Sequence, residues 1–271
     1  MTASTPVSKT PPKARASEGA QSVRRAVALL RALSTHTATG WRLSDLAEET
    51  GLDHTTVHRL LAGLVEERLA TRVAGTRRYT LGALTFELGV AASPYFSLDR
   101  AAAPRLAKLA ADTRDMVFLN VRSGADSVCI ARHEGRKALK AYTVDVGTRR
   151  PLALSAGGVA MLVCMPRAEY VDIEAQNLRS IMRRGEARQA AVRRMLQRSH
   201  RLGYGFNQED IIPGIAALGV SINMPDGAPV ASLSLAASGA DLTVPRRAPL
   251  LERLREEATA IEALLEPMRY D

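Results

Sequence analysis

The stretch RLSDLAEETGLDHTTVHRLL, residues 42–61, constrains this chain most. It reads as helix, tight turn, helix. Ser44 is a plausible N-cap for the first helix, whose small Ala47 lets a second helix approach. Gly51 sits where the turn needs a positive φ. Asp53 is placed to cap the second helix, with Val57, Leu60, Leu61, Leu64 and Val65 on one face. That order fits a helix-turn-helix. The opposite face carries Thr55, Thr56, His58, Arg59 and Gly63, short or hydrogen-bonding groups suited to phosphates and base edges in a major groove.

The flanks strengthen this reading. A helical period of Val23, Ala26, Val27, Leu30 and Leu33 precedes it, and ATRVAGTRRYTLG follows with the alternation and glycine turn of a β-hairpin. Arg72, Arg77 and Arg78 on that hairpin offer fixed positive charge to backbone phosphates, as a wing does. A plain helical bundle with a polar face would explain the helices but not the basic hairpin beside them. The DNA-facing set is then Ser44, His54, Thr55, Thr56, His58, Arg59, Arg72, Arg77 and Arg78.

Bulk charge does not locate this surface. The net charge is +9, divided as +4 over residues 1–98 and +5 over 99–271. A second basic run, Arg179 to Arg201, has eight arginines against Glu186. It reads as a solvated helix face, with Ala191, Met195 and Leu202 inward.

Residues 1–20 hold almost no large apolar side chains and are expected to be a disordered tail. A winged helix-turn-helix unit is expected over 21–82, a linker helix over 83–98, and an α+β domain over 99–271. In the linker, Leu84, Leu88 and Ala91 make a stripe suited to a homodimer contact. The α+β domain opens with a helix over about 100–112. MVFLNVRS, SVCIARHE and LKAYTV then read as an antiparallel meander. Helices are expected over about 155–165 and 188–202. ALGVSINM and VASLSLAA follow as strands joined at Pro225-Asp226-Gly227, and a last helix spans about 249–268. Clustered strands with helices, rather than strict alternation, give an α+β fold with an antiparallel sheet.

Several chemistries find no support. There is no G-x-S-x-G, P-loop, post-strand G-x-G-x-x-G or H-E-x-x-H. Ser155 or Cys164 as nucleophile, with His133 or His200 as base, lacks any motif context. Cys129 and Cys164 cannot build a disulfide framework or a conventional zinc site. No cofactor, metal or catalytic residue is expected. The apolar stretch Ile211–Ala237 is broken by Pro213, Pro225, Asp226 and Pro229, so no membrane partner is expected, and a reducing cytoplasm is the simplest compartment.

The run LSDLAEETGLDHTTVHRLLAGLVEERL with RRYTLG resembles the winged helix-turn-helix of the IclR family of bacterial transcription regulators. It departs at Arg68, where the family usually has glycine. DVGTRRPLALSAGGVAML (145–162) and LGYGFNQEDIIPGIAALGVSINMPDGAPVASLSLA (202–236) resemble two further family segments, in the right order. The resemblance implies a DNA operator as partner, a homodimer or dimer of dimers, and a small organic acid effector.

On the residues alone, Ser155-Ala156-Gly157-Gly158 before a helix could receive a carboxylate on free N–H groups, or could be ordinary close packing of helix on sheet. The resemblance favours the first. By position it assigns backbone contacts to Ala156, Gly157 and Gly158, a wall to Ile215 and Ala217, a sheet hydroxyl to Ser234, and a nearby polar position to Asn207. Ala236 stands where a second hydroxyl is usual, and Ala217 where some members have cysteine. A less polar pocket follows, suited to larger or more apolar acids than two-carbon ones. The alternative is a small-molecule-binding or hydrolytic α+β protein with a vestigial helix-turn-helix.

Overall fold

The computed structural model describes residues 18–35, 39–92, 98–137, 144–182 and 185–265. The expected tail, apart from residues 18–20, and most of the expected strand at 139–144 lie outside the described residues. The chain divides into two compact units, Met1–Phe86 and Glu87–Asp271.

In the first unit, α1 (Glu18–Leu33) begins inside the expected tail. Then come β1 (Trp41–Arg42), α2 (Leu43–Thr50), α3 (His54–Glu66), β2 (Ala70–Arg72) and β3 (Arg78–Leu81). The strands form one antiparallel sheet in the order β1-β3-β2. Leu29, Leu33, Leu46, Val57, Leu61 and Leu64 make the core. Two expectations need correction. Val23 and Val27 are exposed, because α1 packs through Ala26, Leu29, Leu30 and Leu33, a stripe with the same period set further round the helix. Ser44 does not cap α2. Pairing of Trp41 and Arg42 with Tyr79 and Arg78 places the helix start directly after β1, so Arg42 takes the cap position without a side-chain bond. Gly51 ends α2 at φ 68, as its turn requires.

α4 (Ala83–Ala92) spans the division between the units, and none of its residues is buried. The second unit begins with α5 (Leu98–Thr113), β4 (Met116–Ser123), β5 (Asp126–His133) and β6 (Arg149–Pro151). After a 3-10 turn at Leu152–Leu154 come α6 (Ala156–Cys164), α7 (Arg167–Met182) and α8 (Glu186–Leu202). Strands β7 (Gly205–Gln208), β8 (Ile215–Asn223) and β9 (Pro229–Ser238) and helix α9 (Val244–Glu262) complete it. The sheet is antiparallel throughout, in the order β6-β5-β4-β9-β8-β7.

Strand alternation sorts the side chains into two layers. Val117, Leu119, Leu218, Leu233 and Leu235 face α5 and α9 in the larger core. The opposite face is small or polar along Gly205, Gly219, Ser232 and Ser234, and α6 lies on it. A separate core joins α6, α7 and α8 through Leu162, Ile173, Ile181, Val192 and Met195. On α8 the inward stripe is Val192, Met195, Leu196 and Ser199, with Ala191 also buried. Leu202, expected inward, is exposed at the helix end.

Candidate functional site

Two regions carry the candidate residues, one in each unit. In the first, Asp53 caps α3. Its carboxylate accepts the Thr56 N–H at 2.8 Å and the Thr56 hydroxyl at 2.7 Å. The backbone bond from Thr56, then the hydroxyl bond, holds the Asp53 carboxyl below its ordinary value of 3.8. Thr56 is therefore half-buried and committed to the cap, while His54, Thr55, His58 and Arg59 are exposed on α3. Ser44 is exposed on α2, where its hydroxyl donates to Asp45 Oδ1 at 2.9 Å.

The β2–β3 hairpin turns at Gly75, φ 71. Its three arginines are not equivalent. The Arg72 Nε donates to the Thr76 carbonyl across the turn at 3.2 Å. Arg78 donates to the Gly40 carbonyl at 2.8 Å and is half-buried, so its charge braces the sheet. Arg77 is exposed at the tip.

Arg68, which follows α3, has φ 58, a left-handed value that an arginine adopts only at a cost. Gly82 explains why the position cannot relax. A methyl group there would lie 2.1 Å from the Arg68 carbonyl oxygen, so the chain leaving β3 passes directly against the Arg68 backbone.

In the second unit, Ser155 caps α6 by accepting the Gly158 N–H at 3.0 Å. The Ala156 and Gly157 N–H groups open the helix and have no partner within it. The glycines around them make close packing. A methyl group on Gly157 would lie 2.6 Å from Ser232 Oγ and 3.2 Å from Ser234 Oγ. One on Gly158 would meet the Leu152 carbonyl at 2.2 Å. Gly205 and Gly219 admit the Ala156 carbonyl in the same way. Helix and sheet therefore touch backbone to backbone.

Beside that contact lies a buried apolar cluster of Met116, Phe118, Cys129, Ala156, Ala217 and Ala236, with Val144 and Ile215. Ile212 packs against it. Strand register sets Asn207, Ala217, Ala236 and Met116 in one row. Asn120, Asn207, Ser232 and Ser234 are buried polar groups on this face, and Ser232 Oγ has no hydrogen-bond partner among the described residues. Asn207 is engaged within its own loop. Its oxygen accepts the N–H groups of Asp210 (2.9 Å) and Ile211 (3.3 Å), and its amide donates to the Ile215 carbonyl at 3.3 Å.

The structure brings Ala156, Gly157, Ile215, Ala217, Ser234 and Ala236 to one spot, and beside them stand Met116, Phe118, Asn120, Cys129 and Ser232, which sequence reasoning did not single out. Period-two alternation along MVFLNVRS would have placed 116, 118 and 120 on a common face.

The nucleophile candidates are unsuited. Ser155 is engaged as a cap. Burial pushes the Cys129 thiol up to about 11 and raises Cys164 as well. His200 meets the Tyr170 ring edge to face at 4.6 Å, in a groove of about 790 Å³ between α8 and the α6–α7 corner. Among the described residues there is no cluster of three His, Cys, Asp or Glu side chains that could hold a metal, and no helix is long and apolar enough to cross a membrane.

Residues 22–74 match the IclR helix-turn-helix domain, and residues 94–263 match the bacterial transcriptional regulator IclR C-terminal domain. The HTH-type transcriptional regulator KipR of Bacillus subtilis is 28% identical over 223 residues, 81% of this chain and 87% of that protein. An IclR family transcriptional regulator from Brucella abortus shares the fold, with a TM-score of 0.72 at 22% identity over 90% of this chain and 92% of that one. So does an IclR homologue from Microbacterium hydrocarbonoxydans complexed with 4-hydroxybenzoate, with a TM-score of 0.63 at 22% identity over 91% and 99%. These families and relatives are transcriptional regulators, not enzymes, which sets the hydrolytic alternative aside. The two domain matches, in this order and together covering most of the chain, show that it belongs to the IclR family of bacterial transcriptional regulators.

Proposed function

We propose that this chain is a cytoplasmic, dimeric, sequence-specific operator-binding protein whose DNA affinity is set by a small organic acid with an apolar or aromatic body. The observation that carries the reading is the apolar cluster at the α6 start. Alanines 217 and 236 leave its wall short and without hydroxyl groups, while Ser234 and the Ala156 and Gly157 N–H groups stand beside it. A carboxylate belongs at those N–H groups, where the helix dipole favours negative charge. The Gly158 N–H is already given to Ser155 and takes no part. The relative that holds 4-hydroxybenzoate supports an aromatic acid as the first ligand to try.

On the DNA side, Thr55, His58 and Arg59 are the base-edge candidates. Ser44, His54, Arg72 and Arg77 face phosphates, and Thr56 and Arg78 hold the scaffold. Two copies would read a near-palindromic operator. The effector must favour one arrangement of the dimer, since equal affinity for both shifts nothing. Coupling of roughly 1–3 kcal/mol changes operator affinity about 5- to 150-fold.

The test is a gel shift of the purified protein on its own promoter region, with and without organic acids, 4-hydroxybenzoate first. A thermal-shift screen ranks the acids, because a ligand at about 100 times its Kd adds roughly 2.7 kcal/mol to the native state. Absence of salt-dependent, sequence-preferring retention overturns the DNA reading. Retention that no stabilising acid alters overturns the effector reading.

A further inference from the structure

The segment Glu209–Gly214 joins β7 to β8 and is held from three sides. Glu209 has φ 60, where a non-glycine residue is strained, and its carboxylate accepts the Gly214 N–H at 2.9 Å. Asp210, whose side chain is 5% exposed, accepts the Gln208 N–H at 2.9 Å and the Arg198 guanidinium. Arg198 also donates to the Phe206 carbonyl at 3.0 Å and lies 5.1 Å from the centre of its ring. Arg188 donates to the Ile211 carbonyl. Both arginines come from α8, from the basic run that the sequence presents as a solvated face.

The segment separates two apolar regions. Ile211 packs into the core of α6, α7 and α8, and Ile212 packs against the cluster at the α6 start. A strained residue and a nearly buried ion pair are poor ways to gain stability, since apolar replacements of such pairs are often as stable. They do fix one position of the chain.

We infer that Arg188 and Arg198 are positioning residues of the effector site: they hold Glu209–Gly214 so that Ile212 closes the apolar cluster, and releasing them opens it. The inference rests on the effector reading above, but its test needs no effector. Cys129 lies in the same cluster, 1% exposed, and reports on access to it. With Cys164→Ser as parent, Cys129 is the one thiol left in the chain.

Labelling of the full-length parent by N-ethylmaleimide is compared with Arg198→Ala, Arg188→Ala and Ile212→Ala in the same background. Each is expected to label at least ten times faster, and Arg198→Lys, which loses the forked geometry, to fall between. Rates are followed through low urea. Local opening is nearly independent of urea, whereas labelling through global unfolding rises steeply with it. Arginine variants that label at the parent rate, or whose gain tracks global unfolding, overturn the inference. An operator gel shift that no acid changes would instead remove the effector reading and leave the labelling result standing.

Discussion

Replacing Arg68 by glycine should stabilise the DNA-binding unit. Arg68 is held at φ 58 with its N–H donated to the Val65 carbonyl at 3.0 Å and its own carbonyl accepting the Leu84 N–H at 3.1 Å. The approach of Gly82 to that carbonyl leaves no room for the peptide to turn. A left-handed L-residue costs roughly 1–2 kcal/mol, and the wider unfolded freedom of glycine returns about 0.4–1 kcal/mol of that. A net gain of about 0.5–1 kcal/mol is expected, or roughly 2–8 °C in the melting of a unit of this size. Arg68→Ala is the necessary partner variant, because it removes the side chain and its contacts but keeps the left-handed backbone. Calorimetry of the three proteins then separates the two contributions. If Arg68→Gly melts at or below Arg68→Ala, backbone strain is not what distinguishes this position.

Four further outcomes are expected. Arg59→Ala should cost roughly 1–3 kcal/mol and relax base preference at one operator position, whereas Arg77→Ala should weaken all sequences alike and lower the salt slope by about 1; competition gel shifts over a salt series that fail to separate them would reject the assigned roles. Ala236→Leu should fill the apolar cluster at a cost of about 1–3 kcal/mol and abolish the effector response while operator retention without effector persists, and a variant that responds like the parent would show the site misplaced. Asp53→Ala should lose the capping stabilisation of α3 at neutral pH, read as a lower melting temperature. Because the folded Asp53 carboxyl lies below its usual 3.8, that difference is fully present above about pH 4 and fades as pH falls through the lowered value, so acid-unfolding curves that stay parallel would contradict it. Leu88→Asp on α4, where Phe86, Leu88 and Val90 are exposed and nothing is buried, should convert a dimer to a monomer in light scattering, and a strict monomer for the parent at micromolar concentration would rule the interface out.

The helix-turn-helix was legible because each of its signals has one physical meaning. Gly51 needs a left-handed turn, Asp53 needs a helix start, and the apolar spacing of Val57, Leu61 and Leu64 fits no other period. What misled was redundancy. Ala26, Leu30 and Leu33 belong equally to a stripe through Val23 and Val27 and to one through Leu29, and the partner helices decide between them. α7 was illegible for a different reason. Asn177 occupies a core position of RAEYVDIEAQNLRSIM, where it accepts the Ala153 N–H and donates to the Ala125 carbonyl, both at 2.9 Å. A polar residue that satisfies buried backbone groups from elsewhere breaks the apolar period without breaking the helix.

The effector region shows how small residues carry two opposite meanings. In a sequence, a glycine or alanine on a sheet face marks either space left for a ligand or space taken by another backbone. Here the two uses lie side by side. Gly157, Gly158, Gly205 and Gly219 each have backbone or a hydroxyl within 2.6 Å of where a side chain would begin, so on that side they bring α6 onto the sheet rather than leave space. Ala217 and Ala236, one row further along the strands, belong to the apolar cluster and keep its wall low. A bulky residue at Gly157 would therefore lift the helix off the sheet and lose the effector response through misfolding. The same bulk at Ala236 would act within the cluster itself. That difference is why Ala236, and not the glycine at the helix start, is the position at which filling the site can be told apart from breaking it.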